Sequence, residues 1–204
     1  QVVRTIDRPL PDETATHLRF APPYSANILN SPLGDVFDVA FANPPQHGDA
    51  IRADHLARYP VAMLLGDVRL NAALAETLQA YVRDGGTLVL NAAQPLGPLA
   101  DPAFLGLEIG TASVDDEVSE DRLDGASGAL RRVTGTMAVR TVTLRGAQAV
   151  RVSRDGKRPL LTRHAVGRGH VLLATPDHLL LKTKQQINPF IEELLLALQA
   201  EVLP

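Results

Sequence analysis

The stretch Tyr59–Ala93, "YPVAMLLGDVRLNAALAETLQAYVRDGGTLVLNAA", decides the fold. It opens on a continuous apolar run, "VAMLL", the pattern of a strand buried on both faces of a parallel sheet. The run stops at Gly66-Asp67, and a helical pattern follows almost at once. Leu74, Leu78, Tyr81 and Val82 fall at i, i+4, i+7 and i+8, one apolar stripe on one helix face. Asn71 can cap the start of that helix, and Gly85-Gly86 supplies a left-handed exit. "TLVLN" is then a second buried strand. Strand, helix and strand in about 30 residues make a βαβ unit, whose crossover is right-handed.

Working outward towards the N-terminus, "DVFDVAF" is a strand that ends by Asn43, because Pro44 and Pro45 block its extension. "QVVRTI" is a further short strand. Between them "RPLPDETATHLRFAPPY" reads as loop and "YSANILNSPLG" as a short helix closed by Gly34. "IRADHLARY" is a helical turn or two. Towards the C-terminus "PLADPAFLGLEIGTASV" is a short helix or turn leading into a strand. "DDEVSEDRLDGASG", acidic and Gly/Ser-containing, reads as an exposed loop. From Val139 the pattern alternates through "AVRTVTL", "AVRV", "PLLTRHAV" and "HVLLAT", with Asp155-Gly156 and Gly167-Arg168-Gly169 as hairpin turns. A closing helix begins at Asn188-Pro189, with Ile191, Leu194, Leu195 and Leu198 as its stripe. The expected fold is α/β, a flavodoxin-like three-layer sandwich with a mostly parallel central sheet and an antiparallel extension in the C-terminal half.

Composition narrows the function. The 204 residues include 45% apolar and 21% charged residues, with a net charge of −3. That balance, with 4% aromatics and no basic stripe, argues against nucleic acid as a partner. No apolar run reaches the length of a membrane span. Cysteine is absent, which removes disulfides, thiolate metal sites and a Cys nucleophile together, and leaves the compartment open. Only three of the 20 basic residues are lysines (Lys157, Lys182, Lys184), a bias that with the many alanines points to a GC-rich bacterial genome. A chain that begins at Gln1 and ends in "EVLP" reads as a processed chain or a domain excised from a longer protein.

Ligands of open α/β sheets bind beyond the carboxyl ends of the parallel strands. Those ends hold Asn43, Gly66-Asp67 with Arg69, Asn91, and Thr175-Pro176-Asp177-His178. They form one polar rim, although Asn, Asp and Thr are also the residues that cap helices and close Asx turns there. Asp67 can act as a general base or nucleophile if His178 or Asp177 lies within hydrogen-bond reach. Equally, it can pair with Arg69 or cap the following helix. It is not part of a G-x-S-x-G elbow, since the second Gly is missing. His164 and His170 flank a hairpin turn but have no third ligand for zinc, while His47 and His55 fit surface or packing roles. The acidic run Asp115, Asp116, Glu117, Glu120, Asp121, Asp124 lacks the Gly and ligand spacing of an EF-hand and reads as a solvated loop. "VGRG" precedes a strand rather than a helix, so it reads as a turn and not a phosphate loop. No cofactor and no metal is expected.

Tyr59–Ala93 resembles the middle of class I glutamine amidotransferase-like domains, especially the variety found as the trimerisation domain of family forty-two β-galactosidases and related carbohydrate-active proteins. "VSRDGKRPLLTRHAVGRGHVLLATPD" is similar to the late segment of the same domains, where a hairpin leads through a Gly-x-Gly turn into the last core strand. Together the two segments cover about 60 of the 204 residues. Active members of that class carry a Cys at the corner after the third strand and a His-Pro-Glu after the last core strand. The matching positions here are Gly66-Asp67 and Thr175-Pro176-Asp177, so nucleophile and base are both missing. His178 stands three residues beyond the usual histidine.

The resemblance implies a single non-catalytic domain over 1–204, a fragment of a larger carbohydrate-active protein. Its partners would be the other domains of the parent chain and further copies of itself, and it would serve assembly or complete a neighbouring site. Two alternatives stay open. One is a stand-alone hydrolase using Asp67 with His178 or Asp177. The other is a module that binds a sugar or nucleotide through the rim Asn43, Asp67, Arg69, Asn91, Thr175, Asp177 and His178.

Overall fold

The computed structural model describes residues 2–6, 37–41, 51–64, 70–123 and 130–176. In chain order these form β1 (Val2–Ile6), β2 (Phe37–Phe41), α1 (Ala53–Leu56), β3 (Val61–Leu64), α2 (Ala72–Arg83) and β4 (Thr87–Asn91). A 3-10 turn (Gly97–Ala100) and α3 (Pro102–Leu105) follow, then β5 (Leu107–Leu123), β6 (Leu130–Leu144), β7 (Gln148–Val152), β8 (Pro159–Val166) and β9 (Gly169–Ala174).

Seven strands form the central sheet in the order β2-β1-β3-β4-β9-β8-β7. The first five are parallel, and β8 and β7 extend the sheet antiparallel. If β9 is counted as the fifth parallel strand, the parallel part has the 2-1-3-4-5 order of flavodoxin-like folds. The fold is thus the mixed-sheet, flavodoxin-like α/β arrangement expected from Tyr59–Ala93. The loop over Arg8–Tyr24, the helix closed by Gly34 and the closing helix from Asn188 lie outside the described residues.

Both faces of the middle strands are buried, as their unbroken apolar runs require. Ala62, Leu64, Leu88, Leu90, Val171 and Leu173 face a core built with α1, α2 and α3. Val61, Met63, Val89 and Leu172 point to the opposite face and are buried as well. Helix α2 begins and ends as its sequence dictates. Asn71 Oδ1 accepts from Leu74 N at 2.8 Å. At the exit Gly85 N donates to Val82 O and Gly86 N to Tyr81 O, the paired bonds of a Schellman motif, with Gly85 at φ +119°. Gly86 has no side chain because the Tyr81 ring lies where its Cβ would be. The Tyr81 hydroxyl reaches past it to the carbonyls of Tyr59 (3.0 Å) and Thr87 (3.4 Å), pinning the helix end to the entry of two strands.

The largest departure from expectation is the segment after α3. Residues 115–123, read from their acidity as loop, are strand, paired antiparallel with residues 130–138. "AVRTVTL", read as the first strand of the sheet's antiparallel extension, instead belongs to this separate two-stranded ribbon of β5 and β6. Asp and Glu disfavour strands by propensity. The opposite strand, "LRRVTGTMAV", supplies the β-branched residues, and one of its arginines, Arg132, stands at the register position facing Asp121. Alternation marks a strand without naming its partner.

Among the contacts that hold the ribbon to the body are these two. Gly106 (φ +68°) ends α3, and its carbonyl accepts from both Arg145 N (2.7 Å) and Ala147 N (2.9 Å), so the two ends of the ribbon meet on one oxygen. Further out, Arg158 in the β7–β8 turn makes a 3.0 Å ion pair with Asp116 on β5.

Candidate functional site

Strands β2, β3, β4 and β9 run parallel, so their carboxyl ends share one edge of the sheet. That edge is where the chain enters the segments holding Asn43, Asp67, Arg69, Asp177 and His178, all five of which lie outside the described residues. The structure does place Asn91 and Thr175. Asn91 is opposite Ala174 in register, so Thr175 follows one residue beyond it on the neighbouring strand.

Both are fully buried, and both are engaged by backbone. Asn91 Oδ1 accepts from Ala93 N at 2.9 Å, an Asx turn that swings the chain away from the strand. Its Nδ2 donates to Pro176 O at 2.7 Å, across to the end of β9. The Thr175 hydroxyl donates its one proton to Pro159 O at 2.6 Å. Thr175 N donates to Leu160 O, and Thr175 O accepts from Arg140 N at 2.9 Å. Thr175 therefore faces a carbonyl oxygen where a nucleophile would face a base.

Two participants were missed by reading the sequence. Gln94 is buried, and its Oε1 accepts from Asn91 N at 2.9 Å, closing the turn from the other side. The Asn-x-x-Gln spacing was the available signal. The other is β6: Val139 forms an antiparallel bridge to Pro176, so the ribbon is stitched to the carboxyl end of β9. Arg140, next to that bridge, donates from Nη1 to Thr111 O at 2.9 Å across the bulge in β5, and its Nε is buried with no partner among the described residues. No local sequence signal points to this, because residues 139 and 176 are joined only by topology.

His164 and His170 do not meet. His164 is opposite Val171 and His170 opposite Ala165, which puts the two imidazoles on opposite faces of the hairpin. His164 packs on Gly106, where a Cβ would strike the ring, and His170 Nε2 lies 2.9 Å from Arg163 Nη2. His55 is exposed on α1. Among the described residues no cluster of three or more His, Asp or Glu is placed to hold a metal ion. No helix among them is long and apolar enough to cross a membrane.

No family model matches the chain, and no curated protein matches it by sequence. Solved structures do resemble it. A cytoplasmic protein from Salmonella typhimurium superposes with a TM-score of 0.60 at 15% identity, over 87% of this chain and 86% of that one. A putative ThuA-like protein from Bacteroides uniformis gives 0.55 at 13% identity, over 96% of this chain and 88% of its own. The GH42 β-galactosidase Gan42B from G. stearothermophilus gives 0.50 at 14% identity, over 98% of this chain and 29% of that protein. The chain spans less than a third of the length of the glycoside hydrolases it matches. At these identities the likeness shows the fold. It defines a flavodoxin-like α/β domain of the architecture shared by a ThuA-like protein and by part of a GH42 enzyme.

Proposed function

We propose that the chain is a non-catalytic amidotransferase-like domain, one part of a larger carbohydrate-active bacterial protein, serving assembly or completing a neighbouring active site. The observation that carries this reading is the match of nearly the whole chain to a 29% portion of a GH42 β-galactosidase. The chemistry supports it. The chain has no cysteine, and its Gly66-Asp67 corner and Thr175-Pro176-Asp177 stand where active amidotransferases carry nucleophile and base. Thr175, in the histidine's place, is spent on a carbonyl. With Asn91 and Thr175 turned inward, Asn43, Asp67, Arg69, Asp177 and His178 are the rim residues left to face a neighbouring domain or its ligand.

The test is turnover. The protein is incubated with glutamine and with a panel of chromogenic glycosides, and release of ammonia or nitrophenol is followed. The expected result is no turnover by this chain above buffer. Hydrolysis that disappears in Asp67→Ala would contradict the reading and establish the hydrolase using Asp67.

A further inference from the structure

Among the described residues, the β5–β6 ribbon is the part of the fold left with open strand edges. Two long strands pair with each other, and among the described residues no third strand joins them; there β6 meets the end of β9 at Val139 and Arg140. A two-stranded ribbon is marginal by itself in water, and each open edge presents a row of unpaired backbone groups to another strand. Proteins that protect such edges do so with charge that repels a second copy. Here the signs are segregated instead. Strand β5 carries six acidic residues against one arginine, and β6 carries three arginines and no acid. Like edges therefore repel, while the acidic edge of one copy complements the basic edge of the next.

We propose that this ribbon is a self-assembly surface, in which the free edge of β5 pairs with the free edge of β6 from a second copy of this chain. Such a neighbour continues the antiparallel alternation, acidic strand beside basic strand, as within the ribbon itself. It also gives Arg131, which faces Arg122 across its own hairpin, an acidic strand on its other side. The contact is head-to-tail, which builds rings or open chains rather than two-fold dimers. The inference rests on the assembly half of the proposed function and names the surface through which assembly occurs.

The experiment uses the protein and a variant with both edges reversed, Glu117→Lys, Glu120→Lys, Asp121→Lys, Arg131→Glu and Arg132→Glu. By register the reversal keeps opposite charges at positions 121 and 132 and turns the like pair Arg122–Arg131 into an opposite one, so the pairing inside the ribbon is not weakened. Sedimentation velocity should show the wild type self-associating at low salt and less so at high salt. The reversed protein should self-associate likewise. In a mixture, tagged wild type should capture untagged reversed protein about tenfold less than untagged wild type, because every mixed junction sets like charges together. Free co-assembly of the two would overturn the ribbon as the surface while leaving assembly in place. A wild type that stays monomeric at every salt concentration would overturn both.

Discussion

Asn91 shows how a residue can sit where a ligand is expected and yet belong to the fold. It ends a parallel strand at the edge where α/β sheets bind their ligands, but its amide ties Pro176 O and Ala93 N in a fully buried corner. Asn91→Ala leaves a buried acceptor and a backbone donor unpaired, which costs about 2 kcal/mol or more. For a domain of this size the melting temperature should fall by roughly 4–8 °C, read by calorimetry, and the fold should survive. The residue type and position were legible in the sequence. Its partners were not, since Pro176 is 85 positions away and Gln94 becomes a partner only once the strand stops at residue 91.

Among the elements, α2 was legible to its caps because every signal is local: the stripe, the Asn71 cap and the Gly85-Gly86 exit lie within one helix and its flanks. One long-range link completes it. Burial raises the pKa of the Tyr81 phenol far above the usual tyrosine value, which keeps the hydroxyl protonated as a donor to the Tyr59 and Thr87 carbonyls. A folded-state pKa above the unfolded value of about 10 means that the stabilisation is complete below that pH and is lost as pH rises towards the folded value. Tyr81→Phe should cost about 1 kcal/mol near neutrality. In urea melts from about pH 8 to about pH 11 the variant should lose less stability than the wild type. The ribbon is the opposite case. Its β5 strand was illegible because Asp and Glu have poor strand propensity, and only the opposed "LRRVTGTMAV" holds them extended. Propensity is read one segment at a time, whereas a ladder is a property of two.

At the scale of the whole molecule, one βαβ unit and a Gly-x-Gly hairpin were enough to define the architecture. Continuous apolar runs place β3, β4 and β9 inside a parallel sheet, whereas the 2-1-3-4-5 order of the parallel part is visible only in the structure. The departures lie where the chain leaves that sheet. The ribbon is bound at its base through Gly106 and then bridged by Val139 to the end of β9, at the sheet edge where relatives of this fold keep their chemistry. The supporting role proposed above draws on the ribbon secured there and on the two inward-turned polar residues.

The proposed non-catalytic role requires that Asp67 and His178 do not form a working pair. The direct measurement is the pKa of His178, followed through its imidazole proton resonance by NMR in the wild type and in Asp67→Ala. Midpoints within about 0.3 unit of each other are expected, because a carboxylate beyond about 6 Å exerts little pull on an imidazolium. A fall of about one unit or more on removing Asp67 would place carboxylate and imidazole together and contradict the proposed non-catalytic role.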